Sequence, residues 1–243
     1  MKDCLIFLLV LFILNESINS LRNDLEKPIE EYLKINPIHL KKYLLKQNVY
    51  VVDIRDNTIS SEGYLENSLL IPLTKSYEKW FPVIAKEGSS VILICDEDNY
   101  KDAINKTISF GRYNLLGYVI YDEIPKQSRF NIKKVVYNEN ELKLVKDLVE
   151  AEQYIVDIRE IDEYKETGVI KEAHLMPLST FKKDISKLPK DKDIYFYCKS
   201  GVRALLGMTY AQRAGYRNKL IIMRGGMTKT IEEQYPLVPY SEQ

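Results

Sequence analysis

Short β-branched and aromatic runs alternate along the chain with segments of helical periodicity. The runs lie at residues 49–54, 69–71, 91–95, 118–121, 154–158, 175–176, 194–197 and 220–223. A helical segment precedes the first run at Pro37 to Lys46, and another precedes the fifth at Glu139 to Glu150, where Leu142, Val145 and Leu148 share one face. Strands that alternate with helices predict an α/β fold in which a mostly parallel sheet is covered by helices on both faces.

The pattern occurs twice. Residues 51–56 (VVDIRD) reappear at 155–160 (IVDIRE), the segment from Gly63 to Leu73 reappears from Gly168 to Leu178, and Cys95 matches Cys198. The offsets are 104, 105 and 103 residues, which is too constant for chance and too long for a solenoid repeat. Two homologous domains are therefore predicted.

Residues 1–20 have the layout of a secretory signal peptide. Lys2 precedes an apolar run from Cys4 to Leu14, and a small polar segment ends at Ser20. The run is shorter than the about 20 residues that cross a bilayer. We expect export to a periplasmic or extracellular location, with cleavage near Ser20 and no stable membrane span afterwards. An uncleaved N-terminal anchor is the alternative.

Charge and cysteine content limit the classes of function. Lys plus Arg and Asp plus Glu each number 35, so the formal net charge is zero and no basic stripe suggests a nucleic-acid partner. Once residues 1–20 are removed, two cysteines remain, which is too few for a disulfide-stapled scaffold.

One of these cysteines lies where a sheet of this type binds ligands. Cys198 follows the strand run 194–197 and precedes a helical pattern, so it is expected at the carboxyl edge of the sheet beside a helix N-terminus. Backbone N–H groups in such a turn stabilise an anion, and a thiolate is an anion. Lys199 and Arg203 add positive charge, and Gly201 can adopt positive φ. A reactive thiolate at Cys198 is therefore predicted.

These residues resemble the rhodanese (sulfurtransferase) superfamily in its tandem form. The second repeat carries the resemblance at residues 157–160, 163–164, 168–170, 173, 177–178, 198–203 and 225–227. The resemblance implies two rhodanese-like domains at 25–124 and 139–240, joined by a polar, exposed linker at 125–138. It makes Cys198 the catalytic nucleophile. The rest of the loop is expected to bind substrate: Lys199, Ser200, Gly201, Val202 and Arg203.

The chemistry that the resemblance implies is sulfur transfer without a cofactor or metal. A thiolate takes the outer sulfur of thiosulfate, a polysulfide or a persulfide, and a thiol, cyanide or protein acceptor then removes it. Three alternatives stay open. The protein could carry sulfur or bind a partner without turnover, Cys95 and Cys198 could form a disulfide, or the loop could serve a phosphatase. Related phosphatase loops are one residue longer, which favours sulfur over phosphorus.

Several positions depart from the pattern. Glu163 stands where the tandem thiosulfate enzymes have an additional arginine, and a carboxylate there would repel a dianion. Asp157 and Arg159 recur in both repeats and are predicted to form a structural ion pair. His174 is expected beside a strand, without a role in proton transfer.

The loop of the first repeat is also altered. Asp96, Glu97 and Asp98 follow Cys95, and this loop has neither glycine nor a matching arginine. The acidic residues would raise the thiol pKa, so the first domain is predicted to be inactive and to shape the cleft of the second. A cation site at the three acidic residues is a weaker alternative.

Overall fold

The computed structural model describes residues 34–56, 62–124, 130–137 and 145–241. The predicted signal peptide lies outside these residues. Within the described part, no helix combines the length and apolar character that crossing a membrane requires.

Strands and helices alternate along most of the described chain, as the pattern predicts. The strands are β1 (Val49–Asp53), β2 (Tyr64–Leu65), β3 (Leu69–Leu70), β4 (Ser90–Cys95), β5 (Asn114–Ile120), β6 (Ile132–Lys133), β7 (Val136–Tyr137), β8 (Tyr154–Asp157), β9 (His174–Leu175), β10 (Ile194–Tyr197) and β11 (Leu220–Ile222). The α-helices are α1 (Lys41–Leu44), α2 (Lys75–Ile84), α3 (Tyr100–Ser109), α4 (Val145–Glu150), α5 (Ile161–Thr167), α6 (Leu178–Asp184), α7 (Val202–Arg213) and α8 (Gly226–Glu232). Short 3₁₀ turns lie at Pro37–His39, Tyr121–Glu123 and Ile185–Lys187.

Two parallel sheets share the same order of four strands, and the second sheet has β7 as a fifth strand at its edge. The first has the strand order β3-β1-β4-β5 and the second the order β7-β11-β10-β8-β9, with every neighbouring pair parallel. Strands β1, β3, β4 and β5 therefore correspond to β8, β9, β10 and β11. The inner strands β1 and β10 are buried along their whole length, as expected when helices cover both faces of a parallel sheet. The α/β fold class is confirmed.

Within the predicted linker at 125–138, the described residues 130–137 form two short strands and are not an exposed connection. Strand β6 pairs antiparallel with β2 of the first repeat, and β7 adds an edge strand to the second sheet. Between them Val135 is 6% exposed. The four basic residues of the predicted linker suggested that it is exposed. Its β-branched residues instead pack in the apolar clusters of the protein, with Ile132 against the core of the first repeat, Val136 against that of the second, and Val135 in the cluster that joins the two.

The two repeats share one apolar core. A single buried cluster runs from Tyr77 and Trp80 of α2 to Phe181 of α6 and Leu206 of α7. Hydrogen bonds also cross the contact. Thr209 Oγ1 accepts from the Leu70 backbone N–H at 3.1 Å. Helix α7, which begins next to Cys198, is therefore held by both repeats.

Arg213 adds a clamp at the far end of α7. Its Nη2 donates to the backbone carbonyls of Lys46, Gln47 and Val49 at 2.6, 3.2 and 2.8 Å. The guanidinium also lies 5.0 Å from the ring centroid of Tyr50. Because these acceptors belong to the first repeat, the arginine fixes the orientation of α7 relative to the first sheet.

Candidate active site

Cys198 lies where the sequence places it, directly after β10 and before α7. Gly201 caps α7 with φ of 116°, a conformation that residues with a side chain rarely adopt. This turn directs the Gly201 backbone N–H to Cys198 Sγ, at 3.1 Å. A main-chain donor and the positive end of a 12-residue helix therefore face the sulfur. Such an arrangement favours negative charge on the sulfur.

The Gly-Gly motif holds the other side of the loop. The Met227 backbone N–H donates to the Cys198 carbonyl at 2.8 Å. Gly226 has φ of 53°, and a Cβ built on it would lie 2.1 Å from that same carbonyl oxygen. A side chain does not fit there, so glycine is what lets α8 approach the loop this closely.

A pocket of about 230 Å³ opens at Cys198. Its lining residues are Ser76, Lys79, Trp80, Glu163, Cys198, Lys199, Ser200, Val202 and Arg203. Cys198 as a residue is only 1% exposed, so its sulfur lies at the floor of the pocket and not on an open surface. Lys199 and Ser200 are exposed at the rim. All the loop residues predicted to bind substrate line this pocket except Gly201, which instead donates to the sulfur.

Glu163 neutralises the arginine of the loop. Both Arg203 Nη atoms bond to the two carboxylate oxygens of Glu163, with Nη2 to Oε1 at 2.7 Å. The side chains are 10% and 26% exposed, respectively. Burial alone would lower the pKa of Arg203, but the hydrogen bond to Glu163 and the charge of Cys198 hold it above its ordinary value. Both Nη atoms of Arg203 are therefore already bound to Glu163, and the guanidinium is less able to bind an anion in the pocket.

The first repeat, which is predicted to shape the cleft of the second, contributes three residues to this pocket, but the sequence did not identify which residues these would be. Ser76, Lys79 and Trp80 lie on one face of α2, three and four residues apart. Arg203 lies 5.2 Å from the ring centroid of Trp80, and Lys79 Nζ lies 4.5 Å from it. Trp80 is the sole tryptophan of the chain. The amphipathic pattern of α2 predicts a buried face, but not which neighbour that face meets.

The paired Asp and Arg of each repeat form a buried structural brace, as predicted. Arg159 donates to both carboxylate oxygens of Asp157 and to the Gly168 carbonyl at 2.9 Å. Arg55 binds Asp53 in the same way and donates to the Gly63 carbonyl at 2.8 Å. Each brace ties the end of a central strand to a glycine further along the chain.

Cys95 has a different environment from Cys198. It is fully buried at the end of β4 and belongs to the same apolar cluster as Cys198, so the two thiols differ in their charged neighbours and not in burial. Burial is the main cause that raises its pKa well above the ordinary value, followed by the charges of Asp53 and Asp96. The acidic neighbours were expected to be the cause, but desolvation outweighs them. Such a thiol stays protonated and unreactive.

The remaining predicted features are also located. Cys95 and Cys198 are both free thiols. His174 begins β9 and stacks on Tyr154 with ring centroids 3.8 Å apart, which agrees with a position beside a strand. Burial lowers its pKa.

The chain is similar to known proteins, and its match to a family model lies in the second repeat. Residues 141–233 match the family model for the rhodanese-like domain. A sulfurtransferase of Allochromatium vinosum is 32% identical over 84 residues, which is 35% of this chain and 77% of that protein. A rhodanese-related protein of Thermoplasma volcanium is 27% identical, with a TM-score of 0.35, and covers 39% of this chain and 94% of its own. A thiosulfate sulfurtransferase of Pseudomonas aeruginosa is 15% identical, with a TM-score of 0.36, over 85% of this chain and 43% of its own.

Proposed function

The chain belongs to the rhodanese-like domain family, and from this premise we propose that it is a sulfurtransferase that works through a persulfide on Cys198. The donor is a small molecule with a sulfane sulfur, namely thiosulfate, a polysulfide or a persulfide. The acceptor is a thiol or cyanide. The observation that carries the proposal is the Gly201 N–H directed at Cys198 Sγ on the floor of a pocket.

The reaction has two displacement steps. The Cys198 thiolate attacks the outer sulfur of the donor, a new S–S bond forms on the protein, and the donor remainder leaves with the electron pair of the broken bond. The acceptor thiolate then attacks the outer sulfur of the Cys198 persulfide and regenerates the protein thiolate. Cys198 carries a negative charge before the first step and after the second. The Gly201 N–H, which donates a hydrogen bond to Sγ, therefore stabilises the thiolate in both states.

Mass spectrometry and turnover test this proposal together. Incubation with thiosulfate or polysulfide should add the mass of one sulfur atom to Cys198, and cyanide should remove it as thiocyanate. Cys198→Ser should abolish transfer. Cys95→Ala should keep most of it and cost about 1 kcal/mol of stability, as a small core cavity does. Equal losses in the two variants would refute the assignment of the nucleophile.

A sulfur carrier without efficient turnover is the second candidate function. The 1% exposure of Cys198 favours it, because a recessed thiol restricts the acceptors that can reach the sulfur. A stable adduct on Cys198 that cyanide and small thiols do not remove would establish this function over the first. Hydrolysis of para-nitrophenyl phosphate that Cys198→Ser abolishes would instead indicate a phosphatase.

Export is part of the proposal and depends on the pattern of residues 1–20. N-terminal sequencing of the protein from its native host should show a chain that begins near Leu21. A mature protein that keeps residues 1–20 would contradict cleavage.

A further inference from the structure

The two repeats build the pocket at Cys198 together, and their charges are unequally distributed within it. Arg203 is the buried cation of the lining, and Glu163 balances its charge. The other positive charges of the lining belong to Lys79 and Lys199, which are both exposed at the rim. The inner part of the pocket is therefore nearly neutral, and its rim is positive.

We propose that Lys79 and Ser76 of the first repeat, with Lys199, bind a carboxylate of a low-molecular-weight persulfide while its sulfane sulfur reaches Cys198. The inference rests on the proposed sulfur transfer, because it names the class of donor for that same site. Lys79 and Ser76 are specificity-determining residues supplied by a domain whose own thiol is buried.

The separation of charge from sulfur selects this class of donor. In thiosulfate the sulfonate is bonded directly to the sulfane sulfur, so its charge would lie beside the neutralised Arg203 and near the Glu163 carboxylate. In a carboxylate-bearing persulfide several bonds separate the two ends, and the negative charge can lie at the rim. A hydroxyl and two ammonium groups there can hydrogen-bond a carboxylate.

Trp80 helps to hold Lys79 beside the pocket. It is 8% exposed, and its ring lies against both Arg203 and Lys79. The indole is part of the core that joins the repeats, so it does not move independently of either. Lys79 is therefore held beside the pocket by a contact with a rigid aromatic ring.

The transfer step balances without an additional reagent. The Cys198 thiolate attacks the terminal sulfur of the persulfide R–S–S–H, and the S–S bond of the donor breaks. The protein becomes Cys198–S–S–H, and R–S⁻ leaves with the electron pair and one negative charge. The carboxylate of R takes no part in the chemistry, so its contact with Lys79 affects the binding of the donor and not the bond that breaks.

Charge variants of Lys79 test the proposal with two probes of opposite charge. Glutathione persulfide carries carboxylates, whereas cysteamine persulfide carries an ammonium group. At low salt, Lys79→Gln should lower kcat/KM for glutathione persulfide about three- to fivefold, the size of an exposed ion pair. Lys79→Glu should lower it about tenfold or more and should raise kcat/KM for cysteamine persulfide about threefold. These differences should shrink in about 0.5 M salt.

The matched control is Lys75→Gln, which removes the same charge one turn earlier on α2, outside the pocket lining. It should change kcat/KM by less than about twofold. Two results would overturn the role of Lys79 while leaving sulfur transfer intact. One is an equal change in kcat/KM in Lys79→Gln and Lys75→Gln, and the other is a Lys79→Glu variant whose kcat/KM falls equally for both persulfides. Absence of transfer from every donor in the wild type would instead refute the proposed function itself.

Discussion

Replacing Glu163 with glutamine should increase the use of thiosulfate, because it releases Arg203 for an anionic donor. The variant keeps the shape of the side chain and an oxygen that can accept the Glu160 backbone N–H, now 3.0 Å from Glu163 Oε2. The capping box at the start of α5 should therefore survive. Only the negative charge next to the pocket is removed.

The size of the effect follows from Coulomb's law. Two unit charges about 8 Å apart interact by about 2 kcal/mol at an effective dielectric constant of about 20. Glu163 is 26% exposed, so solvent and salt reduce this to about 1 kcal/mol per unit charge. Thiosulfate has two negative charges, which gives about 2 kcal/mol, or about a thirtyfold rise in kcat/KM. Cysteamine persulfide, with its positive group, should show no rise.

The assay measures thiocyanate from thiosulfate and cyanide, and thiol release from cysteamine persulfide. Glu166→Gln is the matched control, because Glu166 is exposed on the same helix and does not line the pocket. A Glu163→Gln variant with unchanged or reduced thiosulfate activity would refute the claim that Glu163 excludes the dianion. An equal rise in kcat/KM for thiosulfate and for cysteamine persulfide would show that the effect is not electrostatic.

The same residue makes stability depend on pH. Burial would raise the pKa of Glu163, but hydrogen bonds from Arg203 and the Glu160 N–H outweigh it and hold the pKa below the ordinary 4.5. Because the unfolded chain takes up this proton first, the contribution is complete above pH 4.5 and is lost as the pH falls through the lower folded value. Urea unfolding from about pH 6 to about pH 3 should show a steeper loss in the wild type than in Glu163→Gln. Parallel curves would contradict this.

Two structural variants test how the site is held. Gly226→Ala should abolish transfer and lower the free energy of unfolding by about 2–4 kcal/mol, because alanine there would have positive φ and would clash with the Cys198 carbonyl. The control Gly111→Ala also has positive φ (63°) but meets open space, and it should lower the free energy of unfolding by only about 1 kcal/mol. Similar losses of stability on denaturant unfolding would argue against the close approach of α8. Arg213→Ala should lower the free energy of unfolding by about 2–3 kcal/mol and expose the contact between the repeats to proteolysis. The control Arg217→Ala loses hydrogen bonds within the second repeat alone and should lower it by under about 1 kcal/mol. Equal effects would show that Arg213 does not clamp the repeats.

The position of Cys198 is a local property, and the sequence predicts it well. A buried strand followed by Gly201 and a helical pattern determines where the thiol lies along the chain, because strand, turn and helix follow from residues close in sequence. The repeat of Asp-x-Arg motifs likewise indicated a structural brace, because both partners lie two residues apart. The strands of both parallel sheets follow for the same reason, except β7, whose residues were predicted to be part of the linker.

The chemical setting of Cys198 depends on residues far apart in the chain. Glu163 was identified as a departure from the family pattern, but its bond to Arg203 joins residues 40 apart and needed the packed structure to be seen. Lys79 and Trp80 are more than 100 positions away from Cys198 and come from the other repeat. Periodicity identifies which face of α2 is buried, but it carries no information about the element that covers that face.

The sequence by itself therefore determined the α/β class, the duplication and the position of Cys198 between a strand and a helix, since these depend on local periodicity and on motifs read along one strand and one turn. The tertiary structure alone decided that the segment at 132–137 pairs with β2 of the first repeat and with the second parallel sheet, that Cys95 is sealed by burial, and that the pocket is neutral inside and positive at its rim. Charge balance and desolvation are sums over neighbours in space, and only the folded chain specifies those neighbours.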